Sequence, residues 1–149
     1  MSITGLLDNK HPDATELIIE LLNDRNRNLK QHESDNICRL ANKQILSVAK
    51  KNKKFKYDWI ALSRNLYALD ILISNPHKIN WDNFTEMPSS DKYLKYIEKN
   101  LNNIDKKYIG KLSKRNDMMH ILEKNPHIID WEILSENENA IDLLEKKSR

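Results

Sequence analysis

Five lysines crowd one short stretch of this sequence: Lys50, Lys51, Lys53, Lys54 and Lys56. Residues 43–56 carry six basic side chains and no acid, whereas residues 1–42 are net −2 and residues 57–149 net −1. The overall charge of +3 therefore resides in that single segment. A second run, Lys106, Lys107, Lys111, Lys114 and Arg115, also lacks an acid within it. Such runs are either solvated helix faces or surfaces for phosphates, which lysine meets as a point charge and without base specificity. These ten residues form the candidate nucleic-acid contact. A shared face for the two runs would favour it. Phe55, Tyr57 and Tyr108, interleaved with the lysines, are the aromatics placed to touch bases.

Other chemistry finds little footing. The five histidines, His11, His32, His77, His120 and His127, include no pair at metalloprotease spacing. His77 and His127 each follow an Asn-Pro pair and occupy equivalent positions, which marks a structural slot. Cys38 is the sole cysteine, so no internal disulfide or cysteine-built zinc site exists, and it flanks an apolar face as a small packed residue. Glycine-rich phosphate loops, nucleophile elbows and kinase signatures are all missing. The expectation is a non-enzymatic protein with no catalytic residue, no metal, no cofactor and no small-molecule substrate.

The elements that must carry the lysines read as helices. Two glycines and four prolines are too few for an all-β sandwich. No apolar run approaches the roughly 18 residues that cross a bilayer, and the N-terminus lacks the order of a signal peptide. A soluble, all-α, intracellular or virion-borne protein is expected, with no membrane contact and not secreted. Residues 1–56 form an N-terminal helical segment with a basic end. Pro12-Asp13 opens a first helix, with Glu16 completing a capping box, and residues 1–12 need no fixed structure. Ser34 or Asp35 opens a second helix, whose face Ile37, Ala41, Ile45 and Val48 runs into the lysines. Leu17, Leu21, Ile37, Ile45 and Val48 are the expected core of this segment.

Residues 57–149 repeat. Four segments align, starting near Tyr57, Ile79, Asp105 and Ile129, with a mean period near 24. Asp58, Asn80 and Asp130 precede a tryptophan slot and suit N-caps. Trp59, Trp81 and Trp131, with Ile109 in the third unit, are followed three residues later by Leu62, Phe84, Leu134 and Leu112. A hydroxyl comes next in each: Ser63, Thr85, Ser113 and Ser135, placed to close the turn. Pro76 and Pro126 stop the second helix of their units, and Asn100 sits midway between Asn75 and Asn125. Each unit is thus a helix–turn–helix hairpin that buries its faces only by stacking. The tryptophans are expected to be buried between helices. About four such hairpins after an N-terminal cap give a short solenoid-like array, one compact domain overall.

The pattern of Asp58, Trp59, Leu62, Ser63, Asn65 and Ala68, then Asn75, Pro76, Ile79, Asn80 and Trp81, resembles the short helical repeats of giant-virus (mimivirus-type) proteins and their associated mobile elements. Asp130, Trp131, Leu134, Ser135, Asn137 and Ala140 repeat it. The resemblance covers residues 57–149, weakened at Met87-Pro88 and at Ile109, and does not reach the first 56. Abundant Lys, Asn and Ile, with their A/T-rich codons, agree with such a source. It implies a scaffold or virion-associated protein. Its partner would be another protein or a second copy, with nucleic acid as the alternative.

Overall fold

The computed structural model describes residues 3–8, 13–24 and 26–147, and every regular element among them is helical. Pro12 and His11 lie outside the described residues. The chain divides into two compact units, Met1–Pro88 and Ser89–Arg149. The first holds α1 (Ile3–Asp8), α2 (Ala14–Asn23), α3 (Gln31–Leu40), α4 (Lys43–Lys51), α5 (Trp59–Leu62), α6 (Leu69–Ile73) and α7 (Trp81–Phe84). The second holds α8 (Asp91–Asn100), α9 (Lys106–Ser113), α10 (Met119–Lys124), α11 (Trp131–Leu134) and α12 (Ile141–Lys147). Short 3-10 turns such as Leu66–Ala68, Pro76–Lys78 and Pro126–Ile128 join them.

The N-terminal segment departs from expectation in four places. Residues 3–8 are helical and bury Ile3 and Leu6, where no fixed structure was expected. Asp13 precedes α2 without a side-chain cap bond, so the capping box with Glu16 does not form. The helix expected from residue 34 or 35 onward is two helices: α3 already starts at Gln31, and the chain breaks at Ala41-Asn42. Asn42 causes that break, because its side-chain oxygen caps α4 by accepting from Ile45 N at 3.0 Å. The α2 core face is Ala14, Ile18 and Leu22, so Leu17 and Leu21 are half-buried, as is Val48; Ile37 and Ile45 are buried as expected. Packing then alternates along the chain. Helix α1 lies on α3 and α3 on α5, while α2 lies on α4 and α4 on the turn Leu66–Ala68.

The repeated positions act as their residue types dictate. Asp58 accepts from Ile60 N and Ala61 N, Asn80 from Asn83 N and Asp130 from Ile133 N, so each caps its helix. Asp105 does the same for Lys107 N one turn earlier in the third unit. Ser63, Thr85, Ser113 and Ser135 each donate back to a carbonyl three or four residues earlier. Asn75, Asn100 and Asn125 each donate Nδ2 to the carbonyl four residues back, at 2.8, 2.7 and 2.8 Å, and end their helices alike. Trp59, Trp81 and Trp131 are half-buried, not enclosed as expected, and each sits at the first position of a four-residue helix.

Neighbouring hairpins are bonded through the turn residue that follows the hydroxyl by two. Asn65 is 5% exposed and donates Nδ2 to Cys38 O at 3.1 Å and to Ala41 O at 2.9 Å, while accepting from Tyr67 N at 3.0 Å. Asn137 donates to Ser113 O at 3.0 Å and accepts from Asn139 N at 3.0 Å. Two ion pairs span the same spacing of 22 residues: Arg64 with Glu86, and Lys114 with Glu136. All four side chains are about half exposed, so each pair contributes only about 0–1 kcal/mol.

Candidate functional site

The first lysine run begins in the last turn of α4, where Lys50 and Lys51 face the helix's carbonyl end. Asn52 then shapes the chain. Its N–H donates to Ala49 O at 3.1 Å, its Nδ2 to Leu22 O at 2.9 Å, and its Oδ1 accepts from Lys54 N at 2.9 Å. Phe55 N donates to Asn52 O at 3.0 Å, closing the turn. Lys50, Lys51, Lys53, Lys54 and Lys56 are all exposed, held on a backbone that Asn52 ties to the end of α2.

This arrangement leaves a cleft of about 520 Å³ between the ends of α2 and α4. Its lining includes Asp24, Arg27, Lys51, Lys53 and Lys54, four cations to one carboxylate. Asp24 Oδ1 accepts from Asn26 N at 2.9 Å. Arg27 is the recessed cation, its side chain 23% exposed, and its Nη2 donates to Glu33 Oε1 at 2.7 Å. Glu33 is buried and also receives Lys30 N at 3.1 Å and Ile3 N at 3.3 Å. Burial pushes its carboxyl up, but those N–H groups and the Arg27 guanidinium outweigh burial and hold it below 4.5. The Nε of Arg27 is buried with no hydrogen-bond partner among the described residues. Sequence reading missed Arg27, since it lies in a charged stretch with no apolar period.

Of the interleaved aromatics, Phe55 is enclosed and Tyr57 and Tyr108 are half-buried. Phe55 is buried, stacking edge-on to Tyr57 at 5.1 Å, and Tyr57 meets Trp59 at 5.2 Å. Tyr57 is half-buried, and its hydroxyl is enclosed with no hydrogen-bond partner among the described residues. Burial of the Phe55 ring corrects the expectation that Phe55 is a contact residue. Tyr108 is half-buried, with Lys107 Nζ 4.5 Å over its ring.

The second run lies on and just after α9, in the other unit. Lys106, Lys107, Lys111 and Lys114 are exposed. Lys114 is paired with Glu136. Arg115 is occupied structurally: Nε and Nη2 grip the two Asp117 oxygens at 3.0 and 2.8 Å, and Nη2 also donates to Ser89 Oγ at 2.5 Å. Its guanidinium lies 5.2 Å over the Tyr93 ring. The first run is therefore the better formed of the two.

Cys38 is buried, and Asp58 N donates to its sulfur at 3.3 Å; burial pushes the thiol up to about 12, which disfavours the thiolate. His77 and His127 are both exposed within equivalent 3-10 turns. Among the described residues no cluster of three or more His, Cys, Asp or Glu could hold a metal, and no helix is long and apolar enough to cross a membrane. Leu40, Ile60 and Tyr67 are exposed apolar residues of the first unit, and Ile141 of the second. No family model matches this chain, and no curated protein or solved structure matches it either.

Proposed function

We propose that this chain is a non-enzymatic helical-repeat binding protein whose first unit contacts nucleic-acid phosphates through Lys50–Lys56. The observation that carries this reading is the gathering of Arg27, Lys51, Lys53 and Lys54 around one cleft with Asp24 as the one lining carboxylate among the described residues. Five exposed ammonium groups in a backbone fixed by Asn52 repel one another, and phosphates relieve that repulsion. The recurring Asp, Asn, Ser and Thr residues cap helices and bridge hairpins, which supports a scaffold and not a catalyst. Binding should be indifferent to base sequence. An electrophoretic shift on duplex and single-stranded DNA tests it: the parent retards both at low salt, and a Lys51→Glu/Lys53→Glu/Lys54→Glu variant retards neither.

A second reading is contact with a protein partner or a second copy, favoured by Ile60 at 61% and Tyr67 at 58% exposure. A photo-crosslinking residue at position 60 or 67 then gives a discrete adduct in the cell of origin, while one at position 95 gives none. The repeat pattern supports a source in a giant virus or an associated mobile element, with the protein acting as a scaffold in the infected cell or the virion.

A further inference from the structure

We infer that this protein self-associates head to tail, the trough between α2 and α4 of one copy receiving the acidic hairpin α11–α12 of another. Such a contact uses the lysines of the nucleic-acid reading without depending on it, and it gives the second-copy reading surfaces other than Ile60 and Tyr67. Two runs of opposite sign carry it. Residues 43–56 hold six basic side chains and no acid. Residues 125–145 hold Asp130, Glu132, Glu136, Glu138, Asp142 and Glu145, and neither Lys nor Arg. All of these charged residues are exposed. Lys114 answers Glu136, and Lys146, just past the run, is paired with Glu123 in the same unit, so the acidic run keeps its sign. Each run repels itself, and opposite runs on two copies relieve both.

Shape agrees with charge. Beside the cleft at the ends of α2 and α4 lies a second hollow, of about 550 Å³, whose lining includes Thr15, Glu16, Ile19, Lys43 and Val48. Val48 lines both, so they form one trough along α4 from Lys43 to Lys54. Ile19 and Val48 are half-buried and give it an apolar strip, with four lysines set against Glu16 and Asp24. The hairpin offers a matching ridge. Ile141, which opens α12, is 60% exposed, whereas Leu69 at the same place in the first unit is 4% exposed. Leu144 is half-buried where Leu72 and Leu122 are fully buried. Glu145 lies four residues after Ile141 and three after Asp142, so the exposed apolar side chain is rimmed by carboxylates. A helix of that kind fits an apolar groove rimmed by lysines. The two surfaces are different patches of one chain, so the contact is heterologous and continues from copy to copy unless it closes into a ring.

Sedimentation velocity over about a hundredfold range of concentration tests the contact. At low salt the average mass of the parent should rise with concentration past that of a dimer. Salt at about 0.5 M should return it to the monomer, because exposed charges are screened there. Lys51→Glu/Lys53→Glu/Lys54→Glu and Glu138→Lys/Asp142→Lys/Glu145→Lys should each be monomeric, since each turns its two surfaces alike in sign. Mixed in equal amounts, the two variants should associate again, a result that misfolding of either would not give. Ile141→Asp should weaken association severalfold with an unchanged circular dichroism spectrum, and Lys95→Glu/Lys99→Glu, on α8, should leave it as it is. A parent that stays monomeric at every concentration, or a mixture that stays dissociated although the parent associates, would overturn the contact; retardation of DNA by that protein leaves the nucleic-acid reading standing. Association of a parent that retards no DNA, with rescue in the mixture, supports the contact and refutes that reading.

Discussion

Replacing Asn65 by Ala removes the most heavily bonded side chain between hairpins. Three hydrogen bonds vanish: those to Cys38 O, Ala41 O and from Tyr67 N, all within 3.1 Å. At about 1 kcal/mol net apiece, with buried groups left unsatisfied, the loss is about 3 kcal/mol. Asn137→Ala removes two such bonds, to Ser113 O and from Asn139 N, and should lose about 2 kcal/mol. Asn65 belongs to the unit Met1–Pro88 and Asn137 to Ser89–Arg149, so each variant reports on its own unit. Asn65→Asp keeps the acceptor for Tyr67 N but turns a carboxylate toward two carbonyls, and should be at least as damaging as Ala at neutral pH. Urea denaturation followed by circular dichroism reads all three; a slope of about 2 kcal/mol/M converts 3 kcal/mol into a midpoint shift of about 1.5 M. A loss below about 1 kcal/mol for Asn65→Ala, or tolerance of Asp, would refute the view that this residue clamps α3 to the following hairpin.

Three further outcomes follow from the same structure. Glu33 has a folded carboxyl below its unfolded value of 4.5, so its stabilisation is present above that pH and lost as pH falls through the folded value; melting temperature against pH should show this drop, and Glu33→Gln should flatten it. The Cys38 thiol, pushed up to about 12 by burial, should resist alkylation in the native protein and react at the ordinary thiol rate in denaturant, and equal rates in both would place it at the surface. A Cβ on Gly110 would lie 2.6 Å from Ile133 Cδ1, so Gly110→Ala sets a helix-propensity gain of about 1 kcal/mol against a clash. Ile133→Val removes the clashing methyl, and the double variant should exceed the sum of the singles by about 1 kcal/mol in a denaturation cycle.

The repeat half was the more legible, because its signals are local. Asp58, Asn80 and Asp130 cap the turns they precede, and Ser63, Thr85, Ser113 and Ser135 close them, through bonds spanning a few residues. The break at Asn42 was hidden because Ile37, Ala41, Ile45 and Val48 keep helical spacing straight across it. Periodicity reports which residues face inward, and α3 and α4 present one face while being separate helices. Helix α1 escaped notice because two buried residues, Ile3 and Leu6, make too short a pattern. The lysine run of the site was plain in the composition, but Arg27 and the role of Asn52 were not. Asn52 to Leu22 joins segments 30 residues apart, and Arg27 to Glu33 bridges an irregular stretch with no apolar period, so no single-sequence pattern encodes either meeting. Phe55 misled for the opposite reason: an aromatic beside lysines fits a stacking surface, yet burial of its ring against Tyr57 prevails.

The salt dependence of single-stranded DNA affinity tests the central claim most directly. If Lys50–Lys56 neutralise four or five phosphates, a log–log plot of affinity against salt should fall with a slope of about −3, or about −4 on duplex. Reversing Lys51, Lys53 and Lys54 to Glu should abolish binding with an unchanged circular dichroism spectrum, because these side chains are exposed. A flat plot, no affinity at low salt, or undiminished binding by the reversed variant would contradict a phosphate-binding function for this protein.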